Sequence, residues 1–257
     1  MTQSKSIYDS ARMAAAYAYD RPPVHQRIVQ AIGEHLRITT PLRRALDVGC
    51  GAGRSTAALE PLAETVFGLE PILSMLEHRD DVAPDAHFLV ADAERLPFSS
   101  AAFDLMTAAG SLDYVNLDLF LPEARRVLTT DGVLAIYDFS ARRRLHGDRL
   151  GEWYSEFERR YPASARNHLD VRALAYSESG LRLETCETLE IAVPMTFSAY
   201  LLYVSSETRV ESAISRGVPA AEVRDWCQRS LRDVFGDQSL DVWFDAYVAY
   251  VKREGSR

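Results

Sequence analysis

Cysteine is scarce in this chain of 257 residues: Cys50, Cys186 and Cys227 stand far apart, with no CxxC pair. An odd count at such spacings argues against a disulfide framework and against a structural zinc site. Long apolar runs are missing as well. No stretch reaches the roughly 18 apolar residues of a membrane-spanning helix, and the opening MTQSKSIYDSARM lacks an apolar signal-peptide core. Positive charge is in deficit. Lys plus Arg is 29 against 37 for Asp plus Glu, a net charge of −8. An acidic surface repels phosphate backbones and anionic lipid, which argues against nucleic-acid and membrane-surface roles. Together these absences predict a reduced, cytoplasmic protein. What is present is globular composition, 47% apolar and 26% charged, enough for one domain or one domain with an appended lid.

Strand and helix patterns alternate through the first half. Pro22 and Pro23 open a helix whose apolar face is Val24, Ile28, Ile32 and Leu36. After Pro41, strands are predicted at 44–48, 65–69, 87–90, 103–107 and 133–137, with helices at 55–64, 72–79 and 119–128. The later chain adds a capped helix over 170–179 ending at Gly180, a strand over 183–193, helical segments near 141–169 and 195–235, and a last strand over 242–251. Strands alternating with helices imply α/β architecture: a doubly wound, mostly parallel seven-stranded sheet. Insertions after strands five and six are expected to form a helical lid, because ligands of open α/β sheets sit beyond the strand carboxyl ends. The expected organisation is a helical cap segment over 1–40, a ligand-binding core over 41–140, lid insertions over 141–169 and 195–238, and remaining core elements over 170–194 and 239–257.

The most informative stretch is Ala45 to Thr56, ALDVGCGAGRST. A strand ends, Gly49, Gly51 and Gly53 follow at alternate positions, and a helix begins. Glycines let the backbone turn tightly and approach a ligand, and exposed N–H groups at a helix start favour an anionic group. The spacing is GxGxG, with Arg54 where a dinucleotide fingerprint has its third glycine, which disfavours a nicotinamide oxidoreductase. Asp47, Glu70 and Asp92 end the first three strands. Asp47 is placed either to meet a ligand ammonium or to hold the loop. Glu70 can accept two hydrogen bonds from a ribose diol, and Asp92 can take an adenine amino group. Each acid read singly is equally a cap or a solvated loop carboxylate; three at one sheet edge beside the glycine loop point to a nucleoside.

These stretches, with VFGLEPILSML, VADAERLPF, FDLMTAAGSLDYV and PEARRVLTTDGVLAIYDF, resemble the class I S-adenosylmethionine-dependent methyltransferases over about residues 12–139. The likeness is to the small-molecule group with ubiquinone-type and trans-aconitate-type enzymes. The resemblance implies a Rossmann-like methyltransferase fold, S-adenosylmethionine as cofactor and S-adenosylhomocysteine as product. It places Gly49, Gly51 and Gly53 under the methionine part, Asp47 near its ammonium, Glu70 on the ribose, Pro71 beside the nucleoside, Asp92 and Ala93 at adenine, and Ala109 and Gly110 near the reactive methyl. Tyr17 with Arg21-Pro22 matches a segment that closes over the cofactor. Where the family commonly has His or an aromatic, this chain has Asp113-Tyr114.

Methyl transfer from a sulfonium is an in-line displacement, helped mainly by alignment; a base is needed only for a protonated nucleophile. Asp113 and His146 are the candidate catalytic residues, and His25 and His168 also lie in segments that can reach the pocket. Tyr114, Trp153 and Tyr200 are the candidate substrate contacts, since aromatic walls suit an apolar organic acceptor, although helical spacing of aromatics also reads as core. Arg142-Arg143-Arg144 is either a solvated face or a lure for an anionic substrate. The expected reaction is methyl transfer to O, N or C of a small acceptor, in the manner of secondary metabolism, by a monomer or homodimer without a metal. The same cofactor fold used for cyclisation, and a non-catalytic binding module, are the alternatives.

Overall fold

The computed structural model describes residues 8–141, 148–163 and 169–255. His146, His168 and the Arg142–Arg144 run lie outside the described residues. One seven-stranded sheet runs through the molecule in the order β3-β2-β1-β4-β5-β7-β6. Its strands are β1 Leu42–Val48, β2 Ala63–Leu69, β3 His87–Leu89, β4 Phe103–Ala109, β5 Leu128–Ala141, β6 Leu181–Met195 and β7 Leu240–Arg253. The first five pair in parallel, and β7 lies antiparallel between β5 and β6. This is the expected doubly wound, mostly parallel architecture.

The central strands read as apolar runs because both faces are covered. In β1, Ala45 and Leu46 are both fully buried, yet they belong to different cores, since adjacent strand side chains point to opposite faces. Leu46, Met106 and Leu134 pack with Phe120 and Ala124 of α5 (Leu117–Val127). Ala45, Leu105 and Val133 share the other core with α2 (Val24–His35), α3 (Arg54–Leu59) and the later helices. Those later helices are α6 (Arg149–Arg160), α7 (Phe197–Ser205), α8 (Thr208–Ser215) and α9 (Ala220–Phe235). They are continuous with the sheet core: Val204, Leu231, Phe244 and Val248 are fully buried within one cluster.

Several expected helices are shorter than their sequence pattern; that over 55–64 ends as α3 at Leu59, followed by a 3-10 turn (Glu60–Leu62). Over 170–179 only the 3-10 turn Tyr176–Ser179 forms, closed by Gly180 at φ 64°. Asp170 accepts from the Arg172 N–H at 3.0 Å and the Tyr176 hydroxyl donates to the Val171 carbonyl at 2.8 Å. Such local side-chain bonds offer the backbone an alternative to helix. After β2, a 3-10 helix (Leu73–His78) precedes the short α4 (Arg79–Val82). Here the Glu70 carboxylate takes the Ile72 N–H at 3.0 Å, shaping the entry to that turn. A first helix, α1 (Ala11–Tyr19), begins at Ser10, whose hydroxyl accepts from the Met13 N–H. It lies against the Leu73–His78 turn.

Candidate active site

Strand order reverses between β1 and β4, and their carboxyl ends open a crevice there. A cavity of about 590 Å³ fills it, within the usual size of a small-molecule site. Its floor is the loop after β1. Gly49, Gly51 and Gly53 have φ of 70°, 55° and 91°. At Gly49 a Cβ would stand 2.4 Å from the Ser111 Cβ, so no side chain fits. Ser111 in turn donates to the Val48 carbonyl at 2.8 Å, tying the loop after β4 to the end of β1.

The loop amides are committed inside the protein. Gly49 and Cys50 donate to the Leu69 carbonyl, Gly53 to the Cys50 carbonyl, and Gly51 to Glu70 Oε2 at 3.0 Å. The expected attraction of an anion by loop N–H groups is therefore reduced at these four positions. Glu70 is 6% exposed and lines the cavity. Burial raises its pKa, while the Ile72 and Gly51 N–H groups pull it back. Each of its oxygens takes one main-chain N–H, which leaves lone pairs for a ligand diol. Tyr17, Pro71, Asp92, Ala93, Ala109 and Gly110 line the same cavity, as do Gly49 and Gly51.

Asp47 and Gly53 are placed differently. Asp47 is fully buried beneath the loop, outside the cavity lining. Its Oδ2 accepts from Ser55 Oγ at 2.6 Å and Thr56 Oγ1 at 2.9 Å, and its Oδ1 from Thr107 Oγ1 at 2.8 Å. Burial raises its pKa and those three hydroxyls lower it. Of its two expected roles, the geometry gives the holding one: it pins the start of α3 to β4. Gly53 is the N-cap of α3, and a Cβ there would stand 3.1 Å from the Phe88 ring.

The candidate catalytic and acceptor residues separate too. Asp113 is exposed and is not among the cavity-lining residues. The 3-10 turn Leu112–Tyr114 sends Leu112 into the core, which turns Asp113 outward. Tyr114 does line the cavity, and its hydroxyl lies 2.9 Å from that of Tyr8. Trp153 is buried among helices, stacked on Phe157 and Trp226, with its Nε1 donating to Ser230 Oγ at 2.7 Å. Tyr200 lines a separate hollow of about 140 Å³ with Trp243 and Leu240. Both are core aromatics rather than walls of the main cavity.

The far end of the cavity is instead built by Arg21, His25, Arg54, Tyr154, Tyr203, Glu207 and Thr208, with Asp138 at the end of β5. Tyr154 donates to both oxygens of buried Glu207 at 2.9 Å, and Arg209 donates to Glu207 at 2.9 Å and Glu158 at 2.8 Å. Burial raises the Glu207 pKa and Arg209 counters it. His25 Nδ1 lies 3.0 Å from the Tyr137 hydroxyl, and its ring meets Phe139 edge-on. Burial, with Arg54 and Arg21 nearby, holds the His25 pKa down to about 3, so its ring is neutral at neutral pH. No local spacing in the sequence marks Glu207. Among the described residues no cluster of ligating side chains could hold a metal ion.

The residues fit the implied nucleoside cofactor: a buried carboxylate with spare acceptor capacity faces a cavity of fitting size, beside a loop with glycine at alternate positions. Residues 46–136 match a family model described as a methyltransferase domain. Over this segment the chain carries a methyltransferase domain, and the fold around it is that of the Rossmann-like methyltransferases. Among its relatives, a protein of Dictyostelium discoideum assigned as a methyltransferase is 23% identical over 250 residues, 94% of each chain. The ubiquinone/menaquinone biosynthesis C-methyltransferase of Campylobacter jejuni is 27% identical over 151 residues, 54% of this chain and 62% of that one. The chain thus spans less than two thirds of that quinone enzyme. In structure, a protein from Anaeromyxobacter dehalogenans described as a type II methyltransferase superposes with a TM-score of 0.68 at 23% identity, covering 91% of this chain and 97% of that one.

Proposed function

We propose that this protein transfers the methyl group of S-adenosylmethionine to oxygen, nitrogen or carbon of a small organic acceptor, in the manner of secondary metabolism. The observation that carries the reading is one continuous cavity. It runs from Glu70 and Asp92 at one end to Tyr154, Tyr203 and Glu207 at the other, past Ala109 and Gly110. Glu70 is suited to hold the ribose, and Asp92 and Ala93 to hold adenine. When bound, the cofactor supplies an activated methyl carbon. The protein aligns the acceptor and excludes water, the main sources of rate for such a displacement. His25 lines the cavity with a neutral ring held by Tyr137; burial beside Arg54 and Arg21 disfavours its protonation, so it orients a nucleophile by hydrogen bonding and does not serve as its base. Asp113, turned outward, takes no part.

The helices α6–α9 act as the lid of this site, and the chain works as a cytoplasmic monomer or homodimer. Among the described residues no helix is long and apolar enough to cross a membrane. Calorimetric titration with S-adenosylhomocysteine and with NAD tests the cofactor. Binding of the first alone is expected; binding of NAD alone would overturn the reading. Mass spectrometry of the product tests the reaction. An acceptor heavier by one methyl supports it, and a rearranged acceptor of unchanged mass points to cyclisation instead.

A further inference from the structure

Toward β2 and β3 the ionisable groups of the cavity include Glu70, Asp92 and Glu94; beneath the helices the cations Arg21 and Arg54 stand with the carboxylates Glu207 and Asp138. Each of these guanidiniums donates one terminal N–H to a main-chain carbonyl: Arg21 Nη2 to Ser206 at 2.9 Å, and Arg54 Nη1 to Ala18 at 3.0 Å. The Nε of each is buried and, among the described residues, has no hydrogen-bond partner. A buried donor without a partner is costly, and a charged one more so. Glu207, the carboxylate beside Arg21, is already held by Tyr154 and Arg209. Burial and the neighbouring Arg21 together lower the Arg54 pKa, whereas that of Arg21 is raised, its burial being outweighed by Tyr17, Tyr203 and Glu207.

We propose that the methyl acceptor is an organic acid whose carboxylate sits between Arg21 and Arg54, with its apolar body against Tyr17, Tyr154 and Tyr203. The planar guanidinium fork matches a carboxylate with two parallel N–H bonds. Tyr17 and Tyr203 brace the fork of Arg21, whose Cζ lies 4.2 Å and 5.8 Å from their ring centroids. The inference rests on the methyl-transfer reading. The cofactor's own carboxylate is a second source of the same chemistry. That carboxylate comes with an ammonium and a sulfonium, so the bound cofactor adds net positive charge beside two guanidiniums. An acidic acceptor restores the balance.

The test saturates the full chain with S-adenosylhomocysteine and titrates 3-phenylpropionate, hexanoate and adipate, each against its uncharged amide. At least one acid is expected to bind about tenfold tighter than its amide, the size of a charge-assisted pair. In Arg21→Gln and Arg54→Gln that preference should fall to about threefold or less, while S-adenosylhomocysteine affinity stays within about threefold of wild type. Two results overturn the inference. One is no preference for any acid in the wild-type protein, a comparison that stands even if a variant fails to fold. The other is a variant that loses S-adenosylhomocysteine affinity about tenfold or more but keeps that for 5′-methylthioadenosine, which assigns the guanidiniums to the cofactor's carboxylate. Failure of the wild-type protein to bind S-adenosylhomocysteine at all would overturn the functional reading itself and is seen before any acid is added.

Discussion

The two ends of the cavity are built by different means. The nucleoside end comes from short loops at the carboxyl ends of adjacent parallel strands, with Glu70 only two residues from an N–H it fixes. Its geometry is set by backbone turns and main-chain hydrogen bonds. The end beneath the helices comes from many separate parts of the chain, from the α1–α2 connection, α2, α3 and β5 to α6, α7 and the start of α8. It is held by side chains, with Arg21 reaching Ser206 and Tyr154 reaching Glu207. A site of the first kind tolerates little change, whereas one of the second kind can be re-lined without disturbing the sheet.

Substitutions at each end sharpen the contrast. The largest effect is expected at Asp47, which underlies the nucleoside end without touching it. Asp47→Ala leaves three buried hydroxyls without their shared acceptor and should lower unfolding stability by about 2–4 kcal/mol in denaturant melts. A loss confined to ligand affinity would instead put Asp47 on the ligand. Glu70→Ala should weaken S-adenosylhomocysteine binding by about 1–3 kcal/mol. Unchanged affinity in a folded variant would move the ribose elsewhere.

At the acceptor end, His25 predicts a pH dependence. Its folded-state pKa, about 3, lies below the ordinary 6.5, so below pH 6.5 the unfolded chain binds more protons than the folded one. Its contribution to stability is therefore complete above pH 6.5 and is lost progressively as pH falls toward 3. His25→Gln should flatten the acid limb of stability by about 1–2 kcal/mol between pH 6 and pH 4. An identical limb in the variant would show that His25 titrates normally. The smallest effect belongs to Tyr114, whose hydroxyl meets Tyr8 at an exposed position. Tyr114→Phe should change stability by about 0.5 kcal/mol or less, measured by thermal melting; a larger loss would mark the Tyr8 contact as a clasp on the N-terminal segment.

The same division governs what could be read before folding. GxGxG, Glu70 and Asp92 were legible because each is defined by position relative to a strand end, and strand ends follow from apolar runs. Asp47 was legible as important, but its partner Thr107 lies 60 residues away, so its structural role showed only in three dimensions. The aromatic wall was misassigned by one helical step: Trp153 packs inward, while Tyr154, rotated by about 100° on the same helix, reaches the cavity. Glu207 belongs to a helix connection whose charges look solvated in sequence. Only the packing of α6 against the later helices makes it a buried carboxylate.

The most direct test of the central claim is a crystal structure of the protein with S-adenosylhomocysteine. The account predicts both ribose hydroxyls within hydrogen-bond distance of Glu70 and the thioether directed toward Arg21 and His25. A nucleoside bound away from Glu70, or a sulfur pointing away from the helical end, would contradict it.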